Sequence, residues 1–275
     1  MGKLSGKVAL ITGSGRGIGS ALAIKLASDG ASVVVSDLDE APAEETARAI
    51  RAAGGNAVTC TGNVTAPDFA QRFVKTALDQ FGGLDIIVNT AAIFPSSPDG
   101  QINDSQWGVT LDINVTANHR LIEEASKILA EQDLTASVVL VSSANAVVPK
   151  RGSEAYDVSK AAVSHLVREL AISLAPKIRV NGISPATVVK GSTMFPRDRV
   201  IASLNKYSIS FDAGAPDEEL RTLLAEFYAK RTLTHQPIDP QDCAAAILFL
   251  AGPQSRCTTG HLIPVDGGLT EAFLR

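Results

Sequence analysis

A chain of 275 residues with a formal net charge of −4 is long enough for one large α/β domain with a sizeable core and no covalent staples. Its cations are dispersed, which excludes the electrostatic footprint of a nucleic-acid or membrane-surface binder, and no stretch approaches the roughly 20 apolar residues that span a bilayer. Three scattered cysteines, Cys60, Cys243 and Cys257, support neither a disulfide framework nor a zinc site, so a soluble cytoplasmic protein with a small-molecule partner and no metal is expected.

The first apolar run, residues 8–11, reads as a buried strand. Thr12-Gly-Ser-Gly-Arg-Gly-Ile-Gly19 follows it directly and opens a helix over residues 18–28. Gly13, Gly17 and Gly19 stand where a tight turn, a close approach to a pyrophosphate and a helix–strand contact each exclude a Cβ, and a helix N-terminus favours negative charge. This is a phosphate cradle. A second strand at 33–35 ends at Asp37, at the distance where an acid meets the adenosine ribose of a dinucleotide. A carboxylate accepts from ribose hydroxyls and repels a 2′-phosphate, so NAD is expected over NADP. Arg16 argues the other way, as a cation inside the glycine turn, but Asp37 is nearer the discriminating atom. The bland alternative for Asp37 is a solvated turn acid before Asp39 and Glu40.

Helical patterns at 40–53, 66–81 and 105–129 then alternate with β-branched runs at 58–59, 86–88 and 138–141. Continuous apolar strands separated by helices predict a parallel sheet covered on both faces, hence a doubly wound, Rossmann-like α/β fold. Ser143 falls at the carboxyl end of the 138–142 strand, where ligand crevices open in such sheets. Tyr156 and Lys160 open the next helical segment, 160–174, one turn apart on one face. A free phenol loses its proton near pH 10, so a neighbouring ammonium is expected to lower Tyr156 before it can serve as a base. By itself Y-x-x-x-K is more often a packed tyrosine with a solvated lysine.

A strand at 179–183 is followed by residues 190–240, where the alternation stops and a charged, helix-prone stretch, 217–231, intervenes. A helix at 242–250 and a last strand at 261–265 close the chain. One domain over residues 1–275, with 190–240 as an insertion covering the substrate crevice, is the expected organisation. His119, His165, His235 and His261 are scattered and read as structural or surface residues.

These motifs together, T-G-x-x-x-G-x-G at 12–19, Asn89-Thr-Ala-Ala92, Asn114, Ser143, Tyr156-x-x-x-Lys160, Asn181 to Pro185 and Val265-Asp-Gly-Gly268, resemble the short-chain dehydrogenase/reductase family across essentially the whole chain. The resemblance implies that Tyr156 is the general base, Ser143 positions the reacting oxygen, Lys160 holds the nicotinamide ribose and tunes Tyr156, and Asn114 orders a water that leads protons out. It places Ile18 at the pyrophosphate, Asn63 and Val64 beside the adenine, Asn89 and Ala91 along the adenosine, and Val188 at the carboxamide. Ser14, Leu38 and Pro185 complete the expected cofactor contacts. It also implies a homotetramer built through the helices bearing Asn114 and Tyr156 and the final strand; the tail 269–275 is apolar enough to be expected against a neighbouring subunit.

Some residues depart from the family pattern. Asn63 replaces the common aspartate, a tolerable change because an amide still donates and accepts. Thr90, Ala92 and Ala186 replace asparagine, glycine and glycine. Lys190 stands where a threonine is usual, facing either solvent or the pocket mouth. Ser143, Asn145, Lys150, Arg151, Tyr156 and Lys190 are the candidate substrate contacts, with Arg197 and Arg199 nearby in the insertion. If two or more of these cations converge, the pocket suits an anionic substrate; singly, each reads equally well as a loop cation kept for solubility. Residues 190–275 further resemble the dehydrogenase module of two-part bacterial proteins that join a rhamnulose-phosphate aldolase to a lactaldehyde dehydrogenase, which implies a sugar, sugar acid or hydroxyaldehyde as substrate. Two alternatives stay open: an NADPH-dependent 3-oxoacyl or other carbonyl reductase, which Asp37 opposes, and a non-catalytic NAD-binding protein, which the complete tetrad opposes.

Overall fold

The structure is a computed structural model that describes residues 2–95, 101–131 and 136–273. Seven strands, β1 (Val8–Thr12), β2 (Ser32–Val35), β3 (Asn56–Thr59), β4 (Ile86–Asn89), β5 (Ala136–Val141), β6 (Ile178–Pro185) and β7 (Leu262–Val265), form one parallel sheet in the order β3-β2-β1-β4-β5-β6-β7. Around it, among the described residues, lie α1 (Gly17–Ser28), α2 (Glu40–Ala52), α3 (Phe69–Phe81), α4 (Asp104–Leu111), α5 (Ala117–Glu131), α6 (Glu154–Leu174), α7 (Arg197–Lys206), α8 (Asp217–Ala229) and α9 (Pro240–Ala251).

The two-residue period of a strand divides the core. Ala9 and Ile11 of β1 face a cluster with Leu22 of α1, Ala47 and Ile50 of α2, and Ile247 of α9. Val8 and Leu10 face the opposite cluster, with Phe73 of α3, Ile122 of α5 and Val163 of α6. Both faces being covered, every residue of β1, β4 and β5 is buried, which is why these strands read as continuous apolar runs. Because β2 and β4 lie on either side of β1, the chain leaves β1 in one direction and later resumes in the other, and a crevice opens above the carboxyl ends of β1 and β4.

Three local features differ from the sequence expectations. The helix expected over 105–129 is α4 and α5 joined by a π-helical turn, Asp112–Thr116. The widened turn carries Asn114 fully buried, and apolar periodicity does not register one extra residue in a turn. Helix α6 begins at Glu154, not at 160, with Glu154 and Asp157 in its first turn, where carboxylates suit the helix dipole. The insertion holds two helices: α7 and α8 pack together over Val189, Val200, Leu204, Leu220 and Leu224, a small core of their own. Val200 and Leu204 are the two fully buried apolar residues that α7 contributes, too few to announce it. The glycine turn after β7 ties down the far end of the insertion, since Thr234 and Leu233 donate backbone bonds to the Gly267 and Gly268 carbonyls at 3.0 and 3.2 Å.

Candidate active site

A cleft of about 980 Å³ runs over the carboxyl ends of the strands, from the β1–α1 turn to the insertion. At its cofactor end Gly13 has φ +63°, and a Cβ there would lie 2.8 Å from the Ala91 backbone. A Cβ on Gly19 would run into the Gly13 carbonyl. The turn is therefore drawn tight against β4, and α1 opens without a side-chain cap, leaving its first amides to a ligand. Arg16 and Gly17 to Gly19 line this end of the cleft together with Asp37, Leu38, Asn63, Val64 and Ala91. Asp37 accepts the Gly15 amide at 3.0 Å, and Arg16 leans toward Asp39 at 3.5 Å.

Two of the expected cofactor residues lie behind the lining. Ser14 is fully buried, its Oγ donating to the Ile11 carbonyl at 2.7 Å and accepting the Ser36 amide at 2.9 Å; the hydroxyl clamps the turn to β1 and β2 and is turned from the cleft. Asn89, at the end of β4, is buried with both side-chain polar atoms unpartnered among the described residues. Buried amides without partners are rare and costly. That orphan, the tight cradle, the open helix end and the Asp37 carboxylate together fit a dinucleotide. Asn63 spends its carbonyl on Thr65, accepting the amide and hydroxyl at 3.0 and 2.9 Å. Pro185 and Val188, after β6, line the cleft further along.

At the catalytic end α6 carries Tyr156 and, one turn on, Lys160. Lys160 Nζ lies 5.5 Å from the Tyr156 ring centroid and donates to the Val141 carbonyl at 2.8 Å. Burial lowers the ammonium to about 8. The phenol is not lowered by Lys160 as expected: burial pushes it up to about 12 and the Asp157 charge adds to the rise, while the neighbouring Ser143 hydroxyl and the Arg199 charge pull downward. Ser143 caps the short 3₁₀ turn Ala144–Ala146 by accepting the Asn145 amide at 3.1 Å. Asn114 lies one layer behind the cleft. Its side chain accepts from the Ile93 amide at 2.9 Å and donates to the Ile93 carbonyl and Ser159 Oγ, both at 3.0 Å, while Ser159 donates to the Tyr156 carbonyl at 2.7 Å. Asn114 thus joins the loop after β4 to the turn of α6 that bears Tyr156.

On the substrate side Asn145, Lys150 and Arg151 line the cleft, Arg151 at its exposed rim. Lys190 lines it as well but pairs with Asp239 at 3.1 Å, and Arg197 is drawn away to Asp217. Arg199 of α7 enters the cleft with its Cζ 4.3 Å from the centroid of the Phe94 ring, which lies 4.7 Å from that of Tyr156. Tyr207, Tyr228 and Arg231, from the insertion, complete that wall.

The model of the short chain dehydrogenases matches residues 7–198. The chain belongs to the short-chain dehydrogenase/reductase family. A second model, described as enoyl-(acyl carrier protein) reductase, matches residues 203–270. Human dehydrogenase/reductase SDR family member 4 is 35% identical over 96% of this chain and 88% of its own length. An oxidoreductase of Bacillus subtilis is also 35% identical, over 99% of this chain, which spans only 39% of that longer relative. Among solved structures, a short-chain dehydrogenase/reductase from Serratia marcescens BCRC 10948 shares 28% identity and superposes with a TM-score of 0.81 over 98% of this chain and 99% of its own. The chain is accordingly an oxidoreductase of a family that typically binds a nicotinamide cofactor. Among the described residues no helix is long and apolar enough to cross a membrane, and no group of three His, Cys, Asp or Glu could hold a metal.

Several residues that line or brace the cleft carry no signal in the sequence. Asp157, buried beside Tyr156, accepts from Asn145 Nδ2, the Lys150 amide and Ser153 Oγ at 2.7, 2.9 and 2.8 Å, holding the substrate-side loop to α6. Ser142 donates to the Lys160 carbonyl at 2.9 Å. Phe94, Tyr207, Tyr228 and Arg231 carry no motif. They come together only because α7 and α8 fold back over the strand ends.

Proposed function

We propose that this protein is an NAD-dependent dehydrogenase that oxidises a secondary alcohol, or a sugar hemiacetal, of a small polar substrate derived from a sugar. The observation that carries the reading is the Tyr156 phenol with Ser143 beside it and Lys160 one turn behind it, all three lining one cleft with Gly13 and residues 16–19 of the cradle. Ser143 would hold the substrate oxygen, and Tyr156 would take its proton as the general base. Lys160 would hold the nicotinamide ribose and place its charge against the phenol as the base ionises. Asn114 would keep Tyr156 and Ile93 in register and, by its place behind the site, serve the proton's way out. Bound NAD would supply the hydride acceptor.

Support for NAD comes from Asp37, a carboxylate held against the cradle and lining that end of the cleft, which would repel a 2′-phosphate bound beside it. Arg16, the residue best placed to welcome such a phosphate, leans instead on Asp39. The same observation weighs against an NADPH-dependent carbonyl reductase, and a complete tetrad weighs against a binding protein without catalysis. The sugar-derived substrate rests on the polar, cation-bearing wall of the cleft. A homotetramer through α4, α5, α6 and β7 is part of the proposal; Val109, Val158 and Ile172 stand exposed on α4 and α6, large apolar side chains suited to a subunit contact. Of the tail 269–275, residues 274 and 275 lie outside the described residues.

The test is NAD and NADP reduction by the purified protein across neutral sugars, aldonic and deoxy-keto acids, phosphorylated or sulfonated sugars, and hydroxyaldehydes. Turnover with NAD supports the reading. Turnover only of ketones with NADPH would replace it by the reductase.

A further inference from the structure

The cations of the insertion divide into two groups. Arg197 pairs with Asp217, Arg221 with Glu218 and Lys190 with Asp239, so these charges are answered where they stand. Arg199 and Lys150 make no ion pair among the described residues, yet both line the cleft from different elements, α7 and the loop between β5 and α6. Arg231, from the segment after α8, joins them with only a 3.4 Å contact to Glu271 at the outer rim. Burial disfavours the charged form of Lys150 first, and the three lie close enough that Arg231 and, after the opposing Tyr207 and Asp157, Arg199 add to it. Three cations gathered in one cleft, answered there by Asp157 near Lys150 and Glu271 at the rim, still raise one another's cost, and a bound anion lowers that cost.

Arg199 is also the best placed. Its guanidinium is stacked between Phe94 and Phe195, with Cζ 4.3 and 5.3 Å from the ring centroids, and one Nη donates to the Met194 carbonyl at 2.9 Å. The stack fixes the plane of the fork and leaves its other donors for a ligand. Phe94 in turn packs on Tyr156, so the fork stands one aromatic ring from the catalytic phenol. A substrate holding its hydroxyl at Tyr156 and Ser143 would bring its far end to Arg199.

We infer that Arg199 and Lys150, backed by Arg231, form an anion subsite, and that the physiological substrate carries an oxyanion (carboxylate, sulfonate or phosphate) on the same small carbon skeleton as the hydroxyl that is oxidised. This rests on the dehydrogenase reading for the reaction, though the subsite itself can be tested without turnover. Rigid guanidinium recognition favours planar or tetrahedral oxyanions over neutral hydroxyls, and a charge-assisted bond to such a group changes affinity by about 10- to 100-fold.

The experiment has two arms on the NAD-loaded protein, with Arg199→Met and, as a second variant on a different element, Arg231→Gln. In the first arm, acetate, inorganic sulfate and inorganic phosphate are titrated by calorimetry. The expected result is binding of at least one anion to the wild type, weakened about tenfold or more in Arg199→Met. Equal binding by the wild type and both variants, or none by the wild type, overturns the subsite. In the second arm, NAD reduction is followed with a hexose and its 6-carboxylate, 6-sulfonate and 6-phosphate counterparts, which separates the three oxyanion sources. The anionic member that binds should exceed the neutral sugar in kcat/KM by about 10- to 100-fold, and Arg199→Met should collapse that ratio mainly through KM. A neutral sugar turned over as well as its charged counterparts would also overturn it. Anion binding that depends on Arg199, without NAD reduction by any member, would leave the subsite standing and remove the dehydrogenase reading.

Discussion

Lys160 reaches back along α6 to the end of β5, its Nζ donating to the Val141 carbonyl at 2.8 Å. Together with the Ser142 hydroxyl donating to the Lys160 carbonyl, this bond ties α6 to the end of the strand behind the site. Burial lowers the ammonium from its ordinary value of 10.5 to about 8, so the folded protein gives up this proton more readily than the unfolded chain. Between pH 8 and 10.5 the unfolded state binds more protons, and stability from this group rises with pH; below pH 8 the full burial cost remains. A Lys160→Met variant should therefore melt higher than the wild type at pH 7 in the absence of cofactor, with the gap narrowing from pH 8 to 10. Thermal melts at matched ionic strength measure it, and a gap independent of pH would contradict it.

Tyr156 runs in the opposite sense. Its folded value of about 12 lies above the ordinary 10, so stability from the buried phenol is complete below pH 10 and is lost as pH rises toward 12. For catalysis the same elevation means that oxidation by the proposed base should accelerate from pH 7 to 10. Tyr156→Phe should lower kcat by about 10²- to 10⁴-fold and abolish that pH dependence while NAD still binds. Normal turnover in Tyr156→Phe would refute the assigned base.

How much of this was legible in the chain depends on whether the signal is local. Val8 to Thr12, Ile86 to Asn89 and Ala136 to Val141 announce themselves because strands buried on both faces have no polar side to show. Gly13, Ser143, Tyr156 and Lys160 sit at fixed offsets from such strands or within one helical turn, so their spacing survives as a motif. Arg199 does not: its value lies in stacking on Phe94, a residue more than a hundred positions away. Lys190 and Arg197 looked equivalent to it in sequence, and only the placement of Asp239 and Asp217 removes them. Asp157 was hidden inside the Y-x-x-x-K motif, since nothing local marks a carboxylate that will be buried under a loop.

The Asp37 carboxylate accepts the Gly15 amide at 3.0 Å, which fixes it against the cradle, and it lines that end of the cleft. Asp37→Ala should reduce the preference of kcat/KM for NAD over NADP by about tenfold or more, because both an acceptor for ribose hydroxyls and a repulsive charge are lost. Initial rates with both cofactors decide the matter. An unchanged ratio would undo the ribose assignment.

Asp157 offers a last test, in which catalysis and stability separate. One of its oxygens accepts from Asn145 Nδ2 and the other from the Lys150 amide and Ser153 Oγ, so Asp157→Ala strands the Asn145 and Lys150 donors while Ser153 keeps the Lys150 carbonyl. Part-buried donors left without partners are still expensive, and a loss of about 2 kcal/mol in urea unfolding is expected. Asp157→Asn should cost less, about 1 kcal/mol, because its amide oxygen can keep the Lys150 and Ser153 pair while Asn145 turns its own carbonyl toward the new amine. That inversion moves a donor from Asp157 to the cleft, so KM should rise in Asp157→Asn by more than its stability loss alone would suggest. Two variants equal in stability and KM would show that the carboxylate does not organise the loop.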